Sequence, residues 1–229
     1  MRSRPLTVLS VVAGLVWSAA WPAAAPETPP VVERFLSRVE HPLRSYTGRR
    51  MMRARNDRFN KEGWLEAVVT FRDSDGLTYR IISSGGSEYV VRRVLEPALA
   101  GEADMWHRGE PQRFGLTGAN YEFSATPDDE EGDGGARISA TPRRKHHLLF
   151  LGTLHLSAEG DLLRIEGRLS RSPSFWTSRV DIVRTFRRIH DVRVPVELQS
   201  TAHVRIAGPS QMQIQYLYTS INGVAVGVP

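Results

Sequence analysis

The side chains able to do chemistry in this 229-residue chain are histidines, carboxylates and arginines, because it contains no cysteine. Thiol nucleophiles and disulfide staples are excluded at once. His146, His147, His155, His190 and His203 lie in or beside segments of alternating polarity. Of these, His147, His155 and His203 fall on the phase opposite the apolar residues, which describes solvent-facing strand histidines better than a zinc ligand set. Acid–base work needs a pair of carboxylates in register. Glu166 and Glu197 instead stand among basic residues on polar faces, a setting for surface ion pairs worth at most about 1 kcal/mol each.

The acidic, glycine-rich run Pro127–Gly135 lacks the spaced oxygen ligands of a calcium loop. It reads as a solvated loop without fixed structure. No Gly-x-Ser-x-Gly elbow, His-Glu-x-x-His pair or phosphate-cradling loop is present. The expectation is a protein that is not an enzyme and carries neither metal nor other cofactor. Arg184 and Arg188 stand apart because they share the phase of Val180, Ile182 and Phe186, and a buried arginine requires a partner. Either a β-bulge turns the phase over, the better account where a sheet curls, or the guanidinium groups sit at a cavity mouth.

The elements that must position these side chains are strands, most clearly from Asp161 to Gly223. From Val192 the even positions read Val192, Val194, Val196, Leu198, Ser200, Ala202, Val204 and Ile206, with polar residues between them, and Met212, Ile214, Tyr216 and Tyr218 resume the pattern after Ala207-Gly208-Pro209. One dry face and one wet face describe an antiparallel sheet covered on a single side. Strands this long twist and curl, so the fold class expected is mainly β, a half-open curved antiparallel sheet or barrel. Upstream, Leu148, Phe150, Leu154 and Leu156 form one face after the basic run Pro142–His147, and Leu163, Ile165, Gly167 and Leu169 oppose Arg164, Glu166 and Arg168. Ser172–Trp176 is a loop that exposes Phe175 and Trp176. Tyr46–Asn56 is basic and extended, Trp64–Arg72 alternates, and Asp73-Ser74-Asp75-Gly76 turns into Leu77, Tyr79 and Ile81.

Two segments change the period. Val31, Val32, Phe35, Leu36 and Val39 make an amphipathic helix ending near Pro42. Ser87 is a candidate N-cap for Tyr89, Val90, Val91, Val94, Leu95, Ala98 and Leu99 at helical spacing, with Pro97 kinking the helix or restarting it toward Met105 and Trp106. This insertion between sheet halves is expected to act as a lid through Tyr89, Val90, Val94, Leu95 and Leu99. Arg2, Arg4 and the apolar run Leu6–Ala20 read as a general secretory signal peptide cleaved after Ala20, the two arginines not being adjacent as a twin-arginine signal requires. The expected division is 1–20 signal, 21–30 Pro/Ala linker, 31–223 one β domain and 224–229 tail. The net charge of +5 falls to about +3 without the signal's two arginines, too mild an excess for nucleic acid. With no cysteine to acylate, the exported chain is expected to be soluble and not lipid-anchored.

The order of an exported start, an N-terminal amphipathic helix, strands, a helical insertion, Asp161-Leu162-Leu163-Arg164-Ile165-Glu166-Gly167, and a closing series from Val194-Pro195-Val196 to Gln215-Tyr216-Leu217-Tyr218 resembles the family of outer-membrane lipoprotein-sorting proteins. This LolA-like fold is shared with periplasmic sigma-factor regulators. The resemblance covers most of the mature chain and implies a half-open barrel in the periplasm, with lid helices over an apolar cavity that receives acyl chains. No single residue here matches the family's cavity arginine. On this expectation Phe150, Leu163, Ile165, Val196, Leu198, Met212, Ile214 and Tyr216 line the cavity. The partners are a lipid or an acylated lipoprotein, with envelope membrane proteins as further candidates and no nucleic acid. The alternative is a non-enzymatic protein-binding module in envelope assembly or signalling that uses Phe175 and Trp176. A ligand-sized cavity of roughly 300–1,000 Å³ favours the first reading, and a filled core favours the second.

Overall fold

A computed structural model describes residues 30–131 and 135–227. The expected signal peptide and all of the expected linker but Pro30 lie outside the described residues, and Pro30 is already the first residue of a helix, a position suited to proline. The order of elements is α1 (Pro30–Ser37), β1 (Ser45–Asn56), β2 (Lys61–Arg72), β3 (Gly76–Gly86), α2 (Glu88–Val90), a wider π turn (Val91–Leu95), α3 (Glu96–His107) and α4 (Glu110–Arg113). There follow β4 (Tyr121–Glu131), β5 (Gly135–Pro142), β6 (Phe150–Leu156), β7 (Leu162–Leu169), β8 (Thr177–Ile189), β9 (Val192–Val204), β10 (Gly208–Ile221) and β11 (Val224–Ala225). None of the described helices is long and apolar enough to cross a membrane.

Among the described residues, eleven strands form one antiparallel sheet in the order β3-β2-β1-β10-β9-β8-β7-β6-β5-β4, with β11 added to the end of β10. The sheet is not closed, and β3 and β4 are its two edges. The chain travels between those edges through α2, the π turn, α3 and α4, and α2–α3 pack on the β1–β3 part of the sheet. Alternation sets the inner face of β1 as Tyr46, Gly48, Arg50, Met52 and Ala54, and of β2 as Gly63, Leu65, Ala67, Val69 and Phe71. The turn between β10 and β11 is Asn222-Gly223, both at positive φ, the pair a tight hairpin prefers. Asn222 also accepts from the Arg44 and Ser45 amides and donates to the Pro42 carbonyl. The segment expected as a free tail therefore begins with a paired strand.

Two apolar clusters form on this sheet. The first joins β1–β3, β10 and the start of β9 to the inner side of α2–α3; the second joins β4–β7 to Val31, Val32 and Phe35 of α1. Directly paired residues share a face, and the register traces one row across the sheet: Leu65, Met52, Ile214, Leu198, Arg184, Ile165, Leu154, Ile138. Both clusters therefore lie on one face. Between them β8 and the far half of β9 are only half-buried.

Several expectations are corrected by pairing. β4 and β5 run into the acidic stretch, pairing Glu130 with Ala136 and Glu131 with Gly135, so an unstructured loop is not found there; residues 132–134 lie outside the described residues. α1 stops at Ser37, short of Pro42. Of the two outcomes expected at Pro97, the structure has the restart: Pro97 stands in the first turn of α3, where its missing N–H is harmless, α3 runs on through Met105 and Trp106, and the irregularity before it is the π turn. Ser87 takes the N-cap position in extended conformation without a side-chain capping bond. A bulge does occur beside Arg184 and Arg188, but the extra residue is Val196 on β9, so β8 keeps its alternation. Pro195, which has no N–H to pair, stands next to it.

Candidate functional site

The inner phase of β1 carries one charge. Arg50 sits between Gly48 and Met52, 1 % exposed, in the middle of the first apolar cluster. Its Nη2 donates to the Tyr46 hydroxyl at 2.6 Å and to Glu102 Oε1 at 3.0 Å, and its Nε lies 3.4 Å from Glu102 Oε2. The guanidinium stands 4.1 Å from the centre of the Tyr216 ring and 5.4 Å from that of Tyr46. Glu102 projects from α3, whose Leu99 and Ala103 are buried against the sheet. The pair thus ties α3 to the strand beneath it.

Aromatic side chains pack around this pair. Tyr46 stacks on Phe71 at 5.5 Å and meets Tyr218 edge-on at 5.3 Å, and Phe71 meets Trp106 of α3 at 4.4 Å. The Tyr218 hydroxyl donates to the Pro195 carbonyl at 2.9 Å. Burial pushes the hydroxyls of Tyr46, Tyr216 and Tyr218 up, so all three stay neutral. Burial works against the charge on Arg50, but Glu102 together with Tyr46 and Tyr216 outweighs it and holds the guanidinium charged. Arg184, the charged member of the apolar row, lies near enough to Tyr216 to counter part of the rise in its hydroxyl pKa. Arg50 Nη1 and Arg184 Nε are buried without a partner. This arrangement fastens a helix and presents two unused cationic donors to an apolar interior.

Arg188 has a different role. It holds Asp161 through Nε at 2.9 Å and Nη2 at 2.5 Å, and Glu40 at 3.3 Å, while Arg193 reaches Glu40 at 3.4 Å and lies 5.7 Å over Phe35. Hydrogen bonding to Asp161 raises the Arg188 pKa, and burial lowers that of Arg193. This network fastens the segment after α1 to β7, β8 and β9.

The eight expected lining residues are divided. Ile214 and Tyr216 are buried in the first cluster with Leu198 and Met212 packed against it, whereas Phe150 and Ile165 belong to the second. Val196 is the half-buried extra residue of the β9 bulge. Leu163 faces solvent, because Leu156 pairs with Leu162 and His155 with Arg164, leaving Leu163 as the bulged residue between them. Of the lid residues, Val90, Leu95 and Leu99 are buried and Tyr89 and Val94 point outward. Glu166 pairs with Arg164, as expected of a surface carboxylate. Among the described residues Glu197 makes no ion pair; it accepts from the amides of Gln199 at 2.9 Å and Gln213 at 2.6 Å, and these bonds hold its carboxyl below the usual range. His155 is more enclosed than a solvent-facing histidine and stands 3.9 Å from Glu166.

The volume beneath α3 is occupied by Leu95, Leu99, Leu65, Met52 and Ile214. Two clefts open instead over the polar side of the sheet: one of about 470 Å³ bordered by Arg53, Arg55, Asp181, Gln199 and Gln213, and one of about 270 Å³ beside Met51, Trp64 and Gln215. Met212 alone of the expected lining residues borders the larger cleft. Among the described residues no group of three His, Asp or Glu side chains could hold a metal ion. Sequence reasoning missed Arg50 and Glu102. The phase of Arg50, shared with Tyr46 and Met52, was the available signal for the first; nothing local marks the second. No protein-family model matches the chain, and no curated protein matches it in sequence.

Proposed function

We propose that the protein is an exported, periplasmic binder of an amphiphile, a carrier or sensor that takes an acyl chain along the covered face of the sheet and its polar head at Arg184. The observation that carries this reading is the row Leu65, Met52, Ile214, Leu198, Arg184, Ile165, Leu154, Ile138, apolar apart from one arginine that falls between the two helical covers. An arginine with a buried, unpaired Nε at that point is costly in a permanently closed core. It is useful where a carboxylate, phosphate or ester oxygen arrives with a ligand.

The attachment of α3 supports the same reading. A packed interior gains nothing from an Arg–Glu pair that apolar side chains could replace, but a helix that must lift gains a polar fastening that water can satisfy once broken. The π turn of Val91–Leu95 next to Pro97 gives the helix a weak point about which to move. On this reading the side chains under α3 fill the site when no ligand is bound, and the chain belongs with the LolA-like carriers that its order of elements resembles.

A fluorescent fatty acid and its methyl ester, titrated separately into the protein, test the proposal. Saturable binding of one probe per chain, displaced by an unlabelled acyl chain and weakened in Arg184→Met for the acid more than for the ester, is the expected result. No saturable binding of either probe overturns the reading.

A further inference from the structure

We infer that the end of the sheet carrying the β1–β2, β7–β8 and β9–β10 connections docks on an anionic phospholipid surface. Phe59, Phe175, Trp176 and Ile206 project from these three connections with 51 %, 73 %, 57 % and 64 % of their surface exposed. Pairing places them together. Thr177 is opposite Val204, Asn56 is opposite Ser210, and the Asn56 side-chain amide donates to the carbonyls of Ala207 at 2.9 Å and Pro209 at 3.3 Å. The Arg205 amide donates to the Trp176 carbonyl at 2.9 Å, which locks the β7–β8 loop to the β9–β10 turn.

The rings are held outward. Phe175 and Trp176 meet edge-on at 5.5 Å, and the Arg205 guanidinium lies 4.8 Å over the Phe175 ring. Arg58 stands over Phe59 in the same manner at 6.0 Å. An apolar cluster on a monomer's surface that is rimmed by polar groups marks an interaction site. Here the cluster is built from the tips of three connections, so it protrudes and offers no groove to a peptide or helix. Aromatic rings with arginines beside them suit the boundary between headgroups and acyl chains, where rings enter and guanidinium groups stay with phosphates.

Charge selects the lipid. Exposed Arg58, Arg171 and Arg205 surround the apolar tip, and the exposed run Arg143–Lys145 lies at the same end, between β5 and β6. Asp57, the acidic residue in the β1–β2 connection, is engaged by Arg55 at 3.4 Å. The opposite end carries Asp73, Asp75, Glu159 and Asp161 in its turns. Each basic side chain near an anionic leaflet strengthens binding about fivefold, so this end prefers phosphatidylglycerol-rich surfaces to zwitterionic ones. The inference does not depend on what the covered face of the sheet binds.

Because the chain has no cysteine, Ser174→Cys and, at the far end, Thr78→Cys each give one site for an environment-sensitive fluorophore. With vesicles of phosphatidylcholine and phosphatidylglycerol, the Ser174 label is expected to shift to the blue and the Thr78 label to stay unchanged. Phosphatidylcholine alone, or high salt, should weaken the shift, and adding Phe175→Ser with Trp176→Ser should lower vesicle affinity about tenfold or more. A Ser174 label that stays solvent-like on anionic vesicles overturns the proposal. So does an equal shift at both sites, or a shift unchanged in the double serine variant. A label shielded only by envelope proteins, and not by vesicles, assigns the tip to a protein partner and also overturns it.

Discussion

Arg50 Nη2 and Glu102 Oε1 stand 3.0 Å apart, which joins the middle of β1 to α3 through a guanidinium almost wholly withdrawn from water. Fifty-two residues separate them along the chain. Glu102→Leu leaves that charge buried without a counter-charge and is expected to lower the unfolding free energy by about 3 kcal/mol. Combining it with Arg50→Met should restore most of the loss, since neither charge then remains. Urea unfolding of the two single variants and the double variant measures the coupling. A Glu102→Leu protein within about 0.5 kcal/mol of wild type would show that the pair contributes little.

The insertion has one buried and one exposed side, which Leu99 and Val94 separate. Leu99 is fully buried and Val94 is exposed. Leu99→Ala should cost about 2–5 kcal/mol through the cavity it leaves, whereas Val94→Ala should change stability by no more than about 0.5 kcal/mol. Denaturant midpoints decide the matter. Equal losses would mean that α2–α3 does not lie on the sheet by this face.

Two glycines are expected to respond oppositely to alanine. Gly152 and Gly167 pair directly across β6 and β7, and a Cβ at Gly167 would stand 2.4 Å from the Leu151 carbonyl oxygen. Gly167→Ala must push two backbones apart and should destabilise by about 1–3 kcal/mol, as overpacking does. Gly101, inside α3, has nothing within 4 Å of an added Cβ, so Gly101→Ala should stabilise by about 0.5–1 kcal/mol through helix propensity. Thermal midpoints moving in opposite directions are the expected readout.

His146 supplies a pH dependence. Burial, followed by the neighbouring His147 ring 4.3 Å away, pushes its pKa down; Arg144 and Arg113 add to this, and Glu110 opposes it. Its Nδ1 accepts the Leu148 amide at 3.2 Å, a bond that protonation of that nitrogen removes, and its ring stacks on Phe114 at 4.1 Å. The folded state therefore binds this proton less readily than the unfolded one. The contribution is present above the unfolded pKa of about 6.5 and is lost as pH falls from there through the lower folded value. An NMR titration of the His146 ring should give a midpoint below about 6.5; one at or above that value would contradict the assignment.

The alternation of β1, β2, β9 and β10, the helical insertion and the hairpin signals at Gly76 and Gly208 were legible because each is a property of one continuous stretch. The phase of Arg50 was legible in the same way: within Tyr46–Asn56 it falls with Tyr46 and Met52, apart from Arg49, Arg53 and Arg55. What surrounds a strand depends instead on a second strand or helix that local pattern does not identify. β1 pairs with β10 across more than 150 residues, and Glu102 reaches Arg50 only once α3 has packed on the sheet. Bulges belong to the same class. Leu163 and Val196 continue their own alternation in sequence, but each is the extra residue opposite a partner strand one residue shorter, so the partner decides where each side chain lies. Side-chain period was thus set by the sequence within each strand, whereas register, the placement of Arg184 between two covers and the gathering of Phe59, Phe175, Trp176 and Ile206 at one end were decided by pairing between distant segments.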